Sequence, residues 1–176
     1  VGEVGLDYFR LPEEGAEEVK KRQKEAFRAQ IELAGAKKLP VIVHCRDAYE
    51  DCLEIISRFP RQKFLMHCYM ASPTVTEKFL SLPEVFFSFA GNLTYPKDVQ
   101  APILRSAEMI PSGRVLVETD SPYLCPQPKR GRRNDPRNLP LIIQTLASLR
   151  GESREEVAAF TTAAATEFFA LPKLSS

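Results

Sequence analysis

Five short apolar runs, separated by longer amphipathic stretches, constrain the fold of this 176-residue sequence more than any other feature. The runs are continuously apolar, without the alternation of half-exposed strands, which is typical of parallel strands covered on both faces. They lie at residues 1–6, 39–43, 63–66, 85–89 and 115–117. Strands that alternate with helices in this way predict an α/β fold with a parallel sheet or barrel.

Local signals mark several helix ends between these runs. Apolar residues at near-helical spacing predict a helix over 13–38. Residues 47–50 and 153–156 both resemble capping boxes and predict two helix starts. Gly151 predicts the end of a helix over 138–150. An eight-stranded β/α barrel typically has ~250 residues, or about 31 per unit. We therefore expect residues 1–176 to form a single domain, an incomplete TIM-type barrel of about five strands.

Charge and composition exclude several classes of protein. With 24 basic and 23 acidic side chains, the chain is not a general polyanion binder, so any nucleic-acid contact must come from a local patch. No apolar run approaches the ~20 residues of a membrane span, and we expect neither a leader nor a membrane partner. Four cysteines without a CxxC pair favour a reduced, cytoplasmic protein.

The two histidines of the chain, His44 and His67, each directly follow an apolar run. In parallel β/α folds, active sites form at the carboxyl ends of the strands. A single histidine in such a place is more often structural, but two equivalent placements favour shared metal coordination. Neutral imidazole is a common metal ligand.

Carboxylates supply the other candidate ligands. The last apolar run leads into Glu118 and Asp120, which strand periodicity puts on one face, where they repel each other unless a cation lies between them. The alternative is a solvated loop. We predict Asp120 as a ligand or water-activating base and Glu118 as its support. Glu3 is the fourth candidate, because a carboxylate can bridge two cations, and the whole set suits divalent-metal hydrolysis.

Basic side chains that could hold phosphate lie close to these strand ends. Arg46 follows His44 by two residues, although an ion pair with Asp47 or Asp51 would also explain it. A loop beyond Asp120 carries four basic residues within five positions, which suits phosphate binding or simply a solvated charged surface. These four residues are Lys129, Arg130, Arg132 and Arg133.

Taken together, five segments resemble the TatD family of metal-dependent deoxyribonucleases, which have an amidohydrolase-like barrel. The segments are Gly-Glu-Val-Gly-Leu-Asp-Tyr at 2–8, His-Cys-Arg-Asp-Ala at 44–48, His-Cys-Tyr at 67–69, Glu-Thr-Asp-Ser-Pro-Tyr-Leu at 118–124 and Arg-Gly-Arg-Arg-Asn at 130–134. They occur in the family's order from residue 1 to about Leu171. The resemblance implies that the chain is the C-terminal portion of a metal-dependent hydrolase barrel.

The resemblance also implies roles for single residues. Glu3 would bridge two divalent ions (Mg²⁺, Zn²⁺ or Mn²⁺), with His44 and His67 as ligands of the second ion. Asp120 would bind the first ion and orient its water, which makes Asp120 and Glu3 the catalytic pair. The implied reaction is cleavage of DNA phosphodiester bonds, often from a 3′ end, with single-stranded DNA or 3′ ends as the substrate and Arg46 and the basic loop on its phosphates.

Some features of the family pattern are missing from the chain. Family members begin with a strand that carries His-x-His, and no such pair occurs here. Two alternatives therefore stay open: an ester or amide hydrolase such as an aminoacyl-tRNA deacylase, and a truncated, inactive module that binds metal or nucleic acid. A five-stranded partial barrel would expose two sheet edges, so we also expect self-association through those edges.

Overall fold

A computed structural model describes residues 1–172 and confirms the predicted alternation of strands and helices. In the described residues the strands are Val4–Asp7 (β1), Val41–Arg46 (β2), Phe64–Met66 (β3), Val85–Phe89 (β4) and Val115–Val117 (β5). The helices are Ala16–Lys37 (α1), Tyr49–Ile56 (α2), Pro73–Leu80 (α3), Pro102–Met109 (α4), Leu139–Arg150 (α5) and Arg154–Phe169 (α6). None of the described helices combines the length and apolar character needed to cross a bilayer.

The chain divides into two compact units. The first contains residues 1–67 and 77–85, and the second contains residues 68–76 and 86–176, of which the last four lie outside the described part. The single domain expected over 1–176 stays a prediction. In the first unit β2 pairs in parallel with β1 and with β3, and in the second unit β4 pairs in parallel with β5.

The core of the first unit forms where helices cover the apolar strands. Helix α1 buries Phe27, Ile31 and Ala34, whose spacing of four and three residues puts them on one face. That helix lies against β1, in which Leu6 is fully buried. The buried positions of β2 are Val41 and Val43. These apolar contacts hold the three strands in register and leave their polar carboxyl-end residues near the surface.

Aromatic side chains dominate the core of the second unit. All five residues of β4 are buried. The ring of Tyr69 meets Phe87 edge-on, with the ring centroids 4.8 Å apart, and Phe168 of α6 packs against Phe86 at 5.2 Å. Edge-to-face aromatic pairs add stability beyond the area that they bury. This core supports the segment that follows β5.

The two predicted capping boxes had different outcomes. The box at 153–156 is confirmed, because the Ser153 hydroxyl accepts the Glu156 N–H at 3.2 Å and the Glu156 carboxylate accepts the Ser153 N–H at 2.8 Å. Gly151 ends α5 in the left-handed conformation, as expected. The prediction of a capping box at 47–50 is wrong. Asp47 has a φ of 54° and turns the chain between β2 and α2, and the cap position falls to Ala48, which makes no side-chain bond.

Candidate metal centre and phosphate loop

One carboxylate and two imidazoles meet in the first unit, just before β1, within β2 and just after β3. Glu3, His44 and His67 each offer a ligand atom, and these atoms lie within 4.8 Å of one another. The Glu3 Oε1 atom is 2.9 Å from His44 Nδ1 and 3.5 Å from His67 Nε2. Of the four predicted ligands, the structure brings these three together.

Strand register explains how residues so far apart in sequence meet. Gly5 of β1 lies opposite His44 of β2, and Val43 lies opposite Met66, so His44 and His67 occupy neighbouring positions at the ends of the register. Glu3 directly precedes β1. Gly5 is required here, since its φ of 153° suits glycine and a Cβ would overlap the carbonyl oxygen of His44.

The donor set fits a cation. His44 Nδ1 faces Glu3 at 2.9 Å and its Nε2 faces a second carboxylate, Asp7, at 3.1 Å. A neutral imidazole has only one N–H, so it can donate to only one of these carboxylates. The other carboxylate then faces a nitrogen lone pair, which is unfavourable unless a proton or a metal cation lies between them. Imidazole and carboxylate are ligands that zinc and related divalent ions accept.

Asp7 is a site residue that the sequence analysis did not assign. Metal-binding histidines usually donate their second N–H to a carboxylate or carbonyl group, which fixes the ring. Asp7 is in the position to accept that N–H from His44. The signal was present in the sequence, because Glu3, Gly5 and Asp7 follow the period of two that puts strand residues on one face.

A charged network holds the chain just beyond β1. The Tyr8 hydroxyl donates to Asp51 at 2.7 Å, and Lys24 pairs with the same oxygen at 2.7 Å. Burial and then the hydrogen bond to Asp51 raise the pKa of Tyr8 well above its usual value, so Tyr8 remains a donor at neutral pH. Burial raises the pKa of Asp51, but the hydrogen bonds from Lys24 and Tyr8 outweigh it and the pKa is lowered overall.

Arg46 stacks on an aromatic ring. Its guanidinium carbon lies 3.5 Å from the ring centroid of Phe9, and both side chains are exposed. Asp51, one of the two carboxylates that could have paired with Arg46, binds Lys24. The stacked guanidinium presents its face to Phe9 and keeps its N–H groups at the edge, where they suit a phosphate.

In the second unit, Glu118 directly follows β5 and accepts two hydrogen bonds. Its Oε1 atom accepts the Cys68 N–H at 2.6 Å and the Ser88 hydroxyl at 2.8 Å. Strand β5 ends at Val117 and Asp120 has a φ of 54°, so the alternation that would put both carboxylates on one face does not continue to Asp120. The role of Asp120 as a ligand therefore stays a prediction.

Residues 118–138, which we call the phosphate loop, are held together by hydrogen bonds to buried amide side chains, above all that of Asn134. Asn134 is 2% exposed, and its side-chain N–H groups donate to the carbonyls of Thr119 and Tyr123 at 2.7 and 2.8 Å. Its side-chain oxygen accepts from the Asp135 N–H and from Asn138, both at 2.9 Å. The sequence motif contained Asn134 but suggested no role for it.

The basic residues of the phosphate loop are all exposed. Lys129 donates to Asn138 at 2.8 Å, and Arg130 lies over the ring of Tyr95 at 4.2 Å. Arg132 and Arg133 extend the same exposed surface. The loop therefore presents its predicted cationic groups to solvent, and their binding of phosphate stays a prediction.

Comparison with known proteins identifies similar chains. The family model described as TatD related DNase matches residues 1–170. The metal-dependent hydrolase YabD of Bacillus subtilis is 36% identical over 96% of this chain and 64% of its own length. A 3′-5′ ssDNA/RNA exonuclease TatD of Erwinia tasmaniensis is 35% identical over 97% of this chain and 66% of its own length.

A solved structure supports the fold. YJJV, a TatD homologue of Escherichia coli K12, superposes with a TM-score of 0.85 and 26% identity, over 97% of this chain and 63% of that one. This likeness confirms the predicted hydrolase-barrel fold class, of which the described residues supply five strands. The chain spans about three fifths of the length of the curated relatives it matches.

Proposed function

The chain belongs to the TatD related DNase family, and on that premise we propose that it forms the metal centre and phosphate loop of a nuclease that shortens single-stranded DNA from its 3′ end. The observation that carries this proposal is the meeting of Glu3, His44 and His67 within 4.8 Å. A divalent ion held by such ligands supplies Lewis-acid activation of water and of a phosphoryl oxygen.

The chain's own residues divide the work around this centre. Glu3, His44 and His67 would hold the ion, and Asp7 would fix the imidazole of His44 through the ring nitrogen that faces it. Asp120 completes the metal-binding set in this proposal, and Glu118 supports the segment that carries it. Two divalent ions, as Glu3 could bridge, would need ligands beyond the three in the cluster.

Substrate class is inferred from charge and from relatives. Two similar proteins of Erwinia species are named 3′-5′ ssDNA/RNA exonucleases. The chain has balanced charge overall, yet its exposed phosphate loop concentrates four basic side chains in five positions. Local cationic groups of this kind bind the phosphates of a polynucleotide without reading its bases.

The test is cleavage of a 5′-labelled single-stranded oligonucleotide with Mg²⁺, Mn²⁺ or Zn²⁺, resolved by denaturing electrophoresis. We expect products that shorten from the 3′ end, complete loss of cleavage in excess chelator, and a rate about a hundredfold lower in Asp120→Asn. The matched control is Asp98→Asn, which changes an exposed aspartate and should keep the wild-type rate. Cleavage that persists undiminished in excess chelator would exclude the proposal.

One observation favours a second candidate, a chain that binds metal without turnover. The sequence has two histidines, and both lie in the cluster with Glu3. Metal titration followed by calorimetry separates the two candidates. One bound ion without cleavage of DNA supports the binding module. Cleavage supports the nuclease if Glu3→Gln also weakens metal binding. The control Glu32→Gln should leave metal binding unchanged.

A further inference from the structure

Phe9 is an exposed aromatic residue two positions beyond Asp7, the carboxylate that faces His44 of the metal centre. It lies in the turn after β1, and 53% of its surface is accessible to solvent. Arg46 covers part of the ring, with its guanidinium carbon 3.5 Å from the ring centroid. An exposed aromatic ring held against a cation is a feature of sites that bind single-stranded nucleic acid.

Several hydrogen bonds fix the position of this ring. The Phe9 N–H donates to Asp7 Oδ1 at 2.9 Å, and the Tyr8 N–H donates to the Arg46 carbonyl at 2.9 Å, which extends the pairing of β1 with β2. On the other side of the chain, the Tyr8 hydroxyl binds Asp51. The backbone that carries Phe9 is therefore held from two directions, and the ring is preorganised for a ligand.

The same carboxylate links Phe9 to the metal centre. Asp7 accepts the Phe9 N–H with one oxygen, and its other oxygen lies 3.1 Å from His44 Nε2. One side chain thus sets both the orientation of a candidate metal ligand and the turn that presents the aromatic ring. A group bound on Phe9 would lie next to the reacting end of a substrate.

We infer that Phe9 is a stacking platform for the terminal nucleobase of a single-stranded polynucleotide, and that Arg46 behind it binds the neighbouring phosphate. The inference rests on the nucleic-acid substrate proposed above and names the residue that positions its end. Stacking on an aromatic face tolerates every base, because every base has a π-face. The pair therefore selects a base-bearing strand end without selecting its sequence.

The test compares two oligonucleotides that differ in one base. Both carry a 5′ fluorophore and phosphorothioate linkages at the 3′ end to suppress cleavage. One ends in 2-aminopurine and the other ends in an abasic unit. Anisotropy with Mg²⁺ gives the affinity of each, and quenching of 2-aminopurine fluorescence reports stacking directly. Both readouts are independent of catalytic turnover.

Wild type should bind the base-bearing strand about tenfold more tightly than the abasic strand. Phe9→Ala should lose that preference together with the quenching, and should bind the abasic strand as wild type does. Phe9→Tyr should retain both within about twofold, since a tyrosine ring stacks equally well. Phe169→Ala removes an exposed aromatic residue of α6 and serves as the control.

Two results would overturn the inference. If wild type binds both strands with equal affinity, Phe9 does not stack on the terminal base, whether or not the protein is a nuclease. A loss in Phe9→Ala that is equal for both strands shows that Phe9 only supports Arg46. Failure of the proposed nuclease would look different. If the protein does not cleave DNA but still quenches 2-aminopurine in a way that requires Phe9, the stacking inference stands and the proposed nuclease activity does not.

Discussion

The metal centre of the first unit and the phosphate loop of the second are built in opposite ways. Glu3, His44 and His67 come from separate parts of the chain and meet because three parallel strands keep their register. The phosphate loop is one continuous segment, held by hydrogen bonds to the buried side chains of Asn134 and Asn138. The metal centre therefore depends on backbone pairing between strands, and the loop depends on side-chain hydrogen bonds within one segment.

The two regions also differ in the charge of the ligand that they can bind. The metal centre has an excess of acceptors, since the neutral imidazole of His44 lies between two carboxylates and can donate to only one of them. The phosphate loop exposes an excess of cationic donors. One region suits a cation and the other suits an anion, and a hydrolase of phosphodiester bonds needs both kinds of site. Substitutions should therefore damage one region at a time.

The largest effect should come from Gly5→Ala, which disrupts the pairing of β1 with β2 at the metal centre. The new Cβ would overlap the His44 carbonyl oxygen, and alanine disfavours the φ of 153°. We expect a loss of about 3 kcal/mol or more in the free energy of unfolding, together with the loss of metal binding. Denaturant unfolding and calorimetric metal titration measure the two effects.

Gly113→Ala is the control for that prediction, because a Cβ at Gly113 meets no atom within 4 Å. Its free energy of unfolding should change by less than about 1 kcal/mol. If Gly5→Ala and Gly113→Ala behaved alike, strand register would not be what organises the metal centre.

An intermediate effect is expected from Asn134→Ala, which should break the phosphate loop alone. The substitution leaves the carbonyls of Thr119 and Tyr123 without their donors, at a cost of about 2 kcal/mol. Hydrogen exchange of the loop amides should become faster, and affinity for single-stranded DNA should fall, while metal affinity stays unchanged.

The matched control for the loop is Asn92→Ala. Asn92 is also buried, but within residues 1–172 its side-chain amide makes no hydrogen bond, so its removal should leave the exchange of the phosphate loop unaltered. A change in metal affinity in Asn134→Ala would show that the two regions are coupled.

The smallest effect should follow Asp7→Asn, which sharpens the comparison within the metal centre. The variant keeps the turn to Phe9 but removes the carboxylate charge that faces His44 Nε2. Metal affinity should fall about tenfold, as for other partners of metal-binding histidines. Asp98→Asn changes an aspartate that makes the same two-residue turn contact in the second unit, and it should bind metal as wild type does.

Much of the fold followed from local pattern. The apolar runs at 85–89 and 115–117 match β4 and β5, and the capping box at 153–156 forms as predicted. The helix α4 was not predicted, although Pro102 at its first position is a typical start. The residues at 47–50 fit the same capping pattern as 153–156 but do not form it, because the turn out of β2 puts Asp47 in the left-handed conformation.

The amino-acid sequence by itself determined the order of the five strands and the identity of the metal-ligand candidates, because apolar patterns and residue chemistry act over a few neighbouring positions. Tertiary structure alone decided which side chains pair. The contact of Asp7 with His44 and the stacking of Phe9 on Arg46 join residues 37 positions apart. Such contacts are set by strand register, and register depends on the packing of the whole unit.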